Sequence, residues 1–182
     1  MFLMSEIEEL EEKTEKLTKL LDEITKEFEE LQSLVSGDNS ALGCFLPNTR
    51  INMDGSKEED ECLVTGWHPS EKGFRWGGKG REHPTIYFRV SPNRSYRLNM
   101  NIFVPKAITK SPIKLFANDV EIESFVSEGQ IKKTIYIPSN LVKSDKLKIL
   151  FESDFWDPSK LNKTLDSRIL SLAFNYMELT EV

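Results

Sequence analysis

Residues 95–104 read SYRLNMNIFV, and this stretch decides the fold. Apolar side chains recur at every second position, which is the period of a β-strand with one buried face. The predicted apolar face carries Tyr96, Leu98, Met100, Ile102 and Val104. The stretch therefore predicts a long strand that covers one side of a hydrophobic core.

Further strands are predicted on both sides of this one, each bounded by turn residues. They cover residues 85–90, 113–117, 120–122, 133–137, 146–152 and 167–178. In the last of them Leu170, Leu172, Phe174 and Tyr176 are predicted to alternate against Ser171, Ala173, Asn175 and Met177. Short strands at regular spacing, without a second long helix, predict a mainly β domain over residues 61–182, an antiparallel β-sandwich of jelly-roll or immunoglobulin-like type.

Residues 1–36 are predicted to form an α-helical coiled coil. Apolar positions alternate at intervals of three and four, with no Gly or Pro before Gly37, and this period makes a left-handed supercoil. The predicted oligomerisation seam comprises Ile7, Leu10, Thr14, Leu17, Leu21, Ile24, Phe28 and Leu31. We expect a homo-oligomer, with a trimer slightly favoured over a dimer; the alternative is a helix folded back onto the β domain. Residues 37–60 read as a linker or edge segment.

Charge and composition exclude several classes of partner. The net charge is −6, of which −7 falls in residues 1–36 and about +1 in residues 37–182. Neither part shows the basic stripe of a nucleic-acid-binding protein.

No apolar run is long enough to cross a bilayer, and residues 1–4 do not resemble a signal peptide. Cys44 and Cys62 lack metal-ligand spacing. We expect a cytoplasmic protein, with peripheral association at the inner membrane as the alternative, and no metal or cofactor.

Residues 66–76 read GWHPSEKGFRW, the densest aromatic and glycine segment of the chain. Sugar rings pack their C–H faces on aromatic side chains, and their hydroxyls bind polar ones. Both kinds of group occur within ten residues, at Trp67, Trp76, His68, Glu71 and Arg75. We expect Trp67 to be exposed and Trp76 to be buried, because Phe74 and Trp76 alternate with Arg75 on the opposite face.

A second group of candidate site residues lies near the end of the chain, at Trp156, Asp166 and Arg168. Asp166 and Arg168 are two residues apart at the entrance of a strand, so their side chains point the same way. Two interpretations stay open. Arg168 pairs with an acid and locks the end of the loop, or both residues bind sugar hydroxyls beside Trp156 or Trp67.

Motifs of catalysis are missing from the sequence. It has no nucleophile elbow, no phosphate-binding loop and no zinc-protease motif. Acidic residues are available for a catalytic carboxylate pair, as in any acidic domain. We therefore expect a protein that is not an enzyme.

Five short motifs follow one another between residues 66 and 172. They are Gly66-Trp67-His68-x-x-Glu71-x-Gly73-x-Arg75-Trp76, a hairpin at Asn118-Asp119, Ile137-Pro138, the segment 151–158, and Asp166-x-Arg168-x-Leu170-x-Leu172. Together they resemble the β-sandwich accessory modules appended to bacterial glycosyltransferases and methyltransferases of surface-polysaccharide assembly. Asp119 and Ser171 depart from the glycines common at those positions. The resemblance covers residues 61–180 and implies a carbohydrate-associated domain without activity of its own, with a glycosyltransferase domain or chain as partner.

Two functions follow as hypotheses. In the first, the protein is a non-catalytic, oligomeric glycan-binding module of bacterial surface-polysaccharide assembly, and the coiled coil raises weak affinity through multivalency. In the second, it is a structural or oligomerisation protein, in which the coiled coil is a spacer and the sandwich a protein-docking domain. Exposed aromatic rings on the sandwich would favour the first, and tryptophans that are all buried would favour the second.

Overall fold

The computed structural model describes residues 14, 16, 18, 46–55, 62–162 and 165–182. The chain divides into two compact units, Met1–Ala41 and Leu42–Val182. In the first unit Thr14, Lys16 and Thr18 are helical, and the Thr18 hydroxyl donates to the Thr14 carbonyl over 2.9 Å. The predicted coiled-coil seam, Thr14 apart, lies outside the described residues. The coiled coil, the oligomer and the boundaries at residues 36 and 60 therefore stay predictions.

The second unit is mainly β and consists of two antiparallel sheets, which confirms that part of the prediction. Its described strands and α-helix, in chain order, are β1 (Arg50–Ile51), β2 (Leu63–Thr65), β3 (Trp67–Glu71), β4 (Phe74–Gly77), β5 (Thr85–Arg89), β6 (Tyr96–Val104), β7 (Ile113–Ala117), β8 (Val120–Phe125), β9 (Gly129–Ile137), β10 (Lys146–Glu152), α1 (Pro158–Asn162) and β11 (Ala173–Glu181). Short 3-10 helices cover Lys79–Arg81, Lys106–Ile108 and Ser139–Leu141. The jelly-roll or immunoglobulin-like subtype stays a prediction. Across the described ranges no helix has the length and apolarity needed to cross a membrane.

The two sheets enclose one core. A six-stranded sheet has the order β3-β4-β11-β6-β9, with β1 paired to β11, and a five-stranded sheet has the order β2-β5-β10-β7-β8. Buried side chains of both sheets belong to a single apolar cluster. Phe151 of β10 and Phe174 of β11 join them, because their ring centroids lie 4.9 Å apart in an edge-to-face contact. Such aromatic contacts add to the stabilisation that burial alone provides.

Strand β6 shows the alternation that the sequence predicts. Its residues Tyr96, Leu98, Met100, Ile102 and Val104 are all at most 1% exposed. The residues between them, Arg97, Asn99, Asn101 and Phe103, consequently point away from the core, to the outer face of the six-stranded sheet. Phe103 is therefore an aromatic residue in a polar series.

Strand β11 changes its alternation at one point. Its pairing with β6 shifts register between Phe174 and Tyr176, so Asn175 is an extra residue of the β-bulge kind. Phe174 before the bulge and Met177 after it are both fully buried, although they are three positions apart. The alternation predicted for residues 167–178, which places Met177 opposite Phe174, is therefore wrong beyond Phe174.

Gly78 is required where β4 meets the segment before β11. Its φ is +99°, and a β-carbon there would lie 2.8 Å from the carbonyl carbon of Leu170. Gly73 also has a positive φ, +84°, but a β-carbon there would have nothing within 4 Å. We expect Gly73→Ala to lower the free energy of unfolding by about 1 kcal/mol, the cost of a left-handed conformation, and Gly78→Ala to lower it by clearly more.

Urea unfolding of the two variants measures this difference. Gly73→Ala is the matched control, because it carries the same backbone penalty without the contact to Leu170. Equal unfolding midpoints would contradict the expectation, because they would show that the backbone at Leu170 moves to accept the added β-carbon without a loss of stability.

Candidate ligand-binding face

One row of side chains crosses the outer face of the six-stranded sheet. Directly opposite residues of antiparallel strands point to the same side. Trp76 of β4 is the partner of Ala173 in β11, Ala173 is the partner of Phe103 in β6, and Phe103 is the partner of Gln130 in β9. Four strands that are distant in sequence thus place these four side chains side by side.

Aromatic rings gather around Trp76. Its ring centroid lies 5.9 Å from that of Phe74, 6.4 Å from that of Phe103 and 5.9 Å from that of Trp156, each in an edge-to-face arrangement. All four rings are partly solvent-exposed, and Phe103 is 40% exposed. We call these four residues the aromatic cluster. Their mutual contacts fix the rings while one side of the cluster stays open to solvent.

Trp156 reaches this face from the loop between β10 and α1. Its backbone pairs with Leu170 through two hydrogen bonds, of 2.8 and 2.9 Å. Its indole Nε1 lies 3.3 Å from the carbonyl oxygen of Ser171 and donates to it. The loop residue is therefore held at both its backbone and its side chain.

Two cavities adjoin the aromatic cluster. One, of about 400 Å³, is lined by Phe103, Pro105, Lys106, Ala107, Trp156 and Leu161. The other, of about 300 Å³, is lined by Phe74, Trp76, Phe103, Gln130, Ala173 and Asn175. Because Phe103 lines both, the two cavities flank the same ring.

Side-chain amides border the rings. Gln130 Nε2 is within hydrogen-bond distance of Asn101 Oδ1, of Asn175 Oδ1 at 2.8 Å and of the Ile102 carbonyl at 3.2 Å. Asn175 Nδ2 donates to the Gly73 carbonyl over 3.1 Å. Within the described part of the chain, no contact uses Asn101 Nδ2 or Gln130 Oε1. The amides are thus preset, and the Asn101 amino group, with two N–H donors, and the Gln130 carbonyl oxygen are left for a ligand.

The burial of the two tryptophans in segment 66–76 is the opposite of what the sequence predicts. Trp67 is only 6% exposed, its Nε1 donates to the Thr85 carbonyl over 2.7 Å, and its ring meets that of Phe174 at 4.8 Å. The expected exposure of Trp67 is therefore wrong. Trp76 lies on the outer face because Arg75, at 4% exposed, takes the inner one as the partner of Phe174. The expected burial of Trp76 is wrong as well.

The predicted polar site residues lie together beside β3. Arg168 Nη2 contacts Glu71 Oε1 at 2.9 Å and Asp166 Oδ2 at 2.8 Å, and Arg168 Nε contacts Asp166 Oδ1 at 2.9 Å. His68 Nε2 lies 2.8 Å from the Ile169 carbonyl, and Arg75 Nη1 donates to the His68 carbonyl over 3.4 Å. We call Glu71, Asp166 and Arg168 the clamp, because they join the segment before β11 to β3.

The clamp borders the aromatic cluster, because Glu71 is the cross-strand partner of Phe74 and shares its face. The pairing with an acid that was predicted for Arg168 is present. Trp67, His68 and Arg75 also line a cavity of about 450 Å³ near β2. All three are at most 8% exposed, so they offer it little surface. Sugar binding by Trp67, His68, Glu71, Arg75, Trp156, Asp166 or Arg168 stays a prediction.

The clamp should make stability depend on pH. Hydrogen bonds from Arg168 lower the pKa of Asp166 below its usual value. The folded state therefore favours the carboxylate, and the resulting stabilisation is present above the pKa of unfolded Asp, about 3.9. It is lost as the pH falls through the lower pKa of the folded state. We expect wild type to be more stable than Asp166→Asn at pH 7 and this difference to shrink below about pH 4.

Urea midpoints between pH 7 and pH 2.5 test this expectation. Asp145→Asn, which changes an exposed acid outside the clamp, is the matched control. A wild-type advantage over Asp166→Asn that stays constant down to pH 2.5 would contradict the assignment.

Six residues of this face are not among the predicted site residues: Phe74, Trp76, which was expected in the core, Asn101, Phe103, Gln130 and Asn175. One signal was available for Phe103, an aromatic residue at an outward position of β6. The others become neighbours only through the pairing of β4, β6, β9 and β11.

Comparisons with known proteins establish no family. No protein-family profile matches the sequence, and neither does any curated protein sequence. Among solved structures, the ANXUR2 extracellular domain from Arabidopsis thaliana matches at TM-score 0.39 and 15% identity, over 59% of this chain and 31% of that one. A family 35 carbohydrate-binding module from Clostridium thermocellum matches at TM-score 0.41 and 10% identity, over 74% and 99%. BtGH115A, a family GH115 4-O-methyl-α-glucuronidase, matches at TM-score 0.42 and 12% identity, over 75% and 18%. The chain thus spans about a third of the plant receptor ectodomain.

Proposed function

We propose that the β domain is a non-catalytic glycan-binding module whose ligand lies on the aromatic cluster. The observation that carries this proposal is the set of partly exposed rings beside preset amides on one sheet face. Pyranose rings present C–H faces that pack on aromatic side chains, and their hydroxyls both donate and accept hydrogen bonds. The amide donor of Asn101 and the amide acceptor of Gln130 match those hydroxyls.

The position of the site on a sheet, rather than on loops alone, supports this function. Trp76, Phe103 and Gln130 belong to paired strands, and Trp156 is fixed by its pairing with Leu170. A ligand therefore meets rings that are already ordered, and little side-chain entropy is lost when it binds. A module of this kind recognises a polymer without changing it.

The setting of this module, within the same proposal, is bacterial surface-polysaccharide assembly in the cytoplasm or at the inner membrane. It is supported by the sequence resemblance to accessory modules of glycosyltransferases, which also supplies a glycosyltransferase domain or chain as partner. The heptad pattern of residues 1–36 supports a homo-oligomer, probed by the light-scattering mass of the full chain. Several copies together would bind one polymer more tightly than a single domain does.

Intrinsic tryptophan fluorescence tests glycan binding directly. Trp76 and Trp156 lie on the face, so a bound sugar should shift their emission. The panel consists of cello-, manno- and galacto-oligosaccharides and soluble fragments of bacterial polysaccharides. We expect at least one saturable shift that disappears in Phe103→Ala, a variant that keeps all three tryptophans.

Tyr136→Ala is the control, because Tyr136 is an exposed aromatic on the same sheet at the far end of β9. It should leave the titration unchanged. A flat response to the whole panel would overturn the proposal and favour the protein-docking alternative.

A further inference from the structure

Charged side chains are arranged differently on the two outer faces of the sandwich. On the five-stranded sheet, lysines and acids neutralise one another: Lys114 lies 3.9 Å from Glu121 and 3.8 Å from Glu152, and Lys148 lies 2.8 Å from Asp119. Arg89 and Lys146, which are cross-strand partners on this face, have no acidic partner in the described ranges, so these ion pairs neutralise only part of its charge.

On the outer face of the six-stranded sheet, the acids are already paired. Glu178 contacts Arg50 at 3.2 Å, and Glu71 contacts Arg168 at 2.9 Å. Among the described residues, neither cavity beside the aromatic cluster is lined by an Asp or a Glu. A ligand in either cavity therefore meets no carboxylate in the cavity wall, and the acid that borders the cluster, Glu71, already contacts Arg168.

Three cations of this face, Arg97, Lys106 and Lys132, have no acidic partner in the described ranges, and the last two lie on the side of the sheet that carries Phe103 and Gln130. Lys106 is exposed and lines the cavity that contains Phe103 and Trp156. Lys132 is exposed, follows Gln130 by two residues on the same side of β9 and is the cross-strand partner of Asn101. Consecutive same-side residues of a strand lie about 6.6 Å apart, so Lys132 is within reach of a sugar on Gln130. One unpaired ammonium group thus lies in the wall of a cavity beside the rings, and a second lies one same-side position beyond Gln130.

We infer that the glycan bound by this face is anionic, with acidic groups that reach Lys106 and Lys132 while its sugar rings lie on the aromatic cluster. This inference rests on the proposed function and specifies its ligand class. Carboxylates of uronic acids and phosphate esters both supply the required charge. The aromatic cluster selects the sugar, and the two lysines select its charge.

Matched oligosaccharides separate charge from shape. The probes are tetragalacturonate and its methyl ester, tetramannuronate and mannotetraose, and mannotetraose phosphorylated at one 6-hydroxyl. Binding is measured by calorimetry on the full chain in 20 mM and 500 mM NaCl. We expect at least one anionic probe to bind roughly tenfold tighter than its neutral counterpart at low salt, and this advantage to fall at high salt, where charges are screened.

Two lysine variants locate the effect. Lys106→Gln and Lys132→Gln should each weaken the anionic probe by roughly two- to fivefold and leave the neutral one unchanged. Lys143→Gln, at an exposed lysine before β10 of the other sheet, is the control and should change neither. Preference for the uronate or for the phosphorylated probe decides which acidic group the site takes.

The outcomes distinguish this inference from the proposed function. Equal binding of charged and neutral probes, lost in Phe103→Ala, would overturn the inference and leave the glycan site standing. Binding of charged probes that survives Phe103→Ala and vanishes in salt would show unspecific attraction and overturn it too. No binding of any probe or of the wider panel would overturn the proposed function itself.

Discussion

Replacing Trp76 with Ala is expected to weaken glycan binding by at least about thirtyfold and to leave the fold intact. Trp76 is the central ring of the aromatic cluster, in contact with Phe74, Phe103 and Trp156. Its loss removes one stacking surface and also frees its three neighbours to move. Truncation of a central aromatic anchor typically costs about 2 kcal/mol or more, which corresponds to about thirtyfold in Kd.

Calorimetric titration of Trp76→Ala with the best glycan of the panel measures this effect. Trp76→Phe should recover part of the affinity, because a smaller ring still offers an apolar face. The fold is checked by circular dichroism. A folded Trp76→Ala variant that binds as tightly as wild type would remove the aromatic cluster as the site.

Replacing Trp67 with Ala is expected to lower the stability of the fold strongly, whereas Trp76→Ala mainly lowers the affinity for glycan. The indole is buried, packs against Phe174 and donates to the Thr85 carbonyl. Its truncation leaves a cavity beside the contact that joins the sheets and removes the donor of a buried carbonyl. We expect the free energy of unfolding to fall by about 3–5 kcal/mol.

Urea unfolding followed by circular dichroism measures this loss without relying on tryptophan emission. Trp76→Ala is the matched comparison, an identical substitution on the outer face. It should cost less than half as much, because part of its ring is already exposed. Similar losses in the two variants would show that the inner and outer faces of β3 and β4 are wrongly assigned.

Most strands were predictable, because local alternation is a strong signal. The run from Tyr96 to Val104 and the hairpin around Asn118-Asp119 both form as expected. At Asn118-Asp119 both residues have positive φ, a conformation that Asn and Asp tolerate. Asp166 and Arg168 were also predictable, since side chains two residues apart in extended chain lie on one side.

The sides of the tryptophans were not predictable. Alternation shows that Phe74 and Trp76 share a face, but it does not show which face is buried. At β3, a register shift between Trp67 and Ser70 also breaks the count from one end of the strand to the other. Arginine is seldom buried, so the inward position of Arg75 contradicts a sound general expectation.

The candidate site was unpredictable for a different reason. Trp76, Phe103, Gln130 and Ala173 are neighbours only because β11 lies between β4 and β6, and β9 lies beyond β6. Strand order is set by long-range packing, and no local pattern of residues encodes it. Local sequence patterns therefore point to polar groups that are close together in the chain and not to rings that are far apart in it.

Because of the bulge at Asn175, one side chain of β11 can change in evolution without disturbing the core. The other residues near the middle of β11 must each keep their face of the sheet. If their inward and outward positions were exchanged, Phe174 or Met177 would be exposed to water. Asn175 is the supernumerary residue, so its side chain can vary without moving any core position. Because that side chain lines the cavity beside Trp76, recognition can be retuned there by point substitution. Deletion of the same residue would instead flip Met177 and Leu179 outward, so the position tolerates exchange of its side chain and resists loss of its backbone.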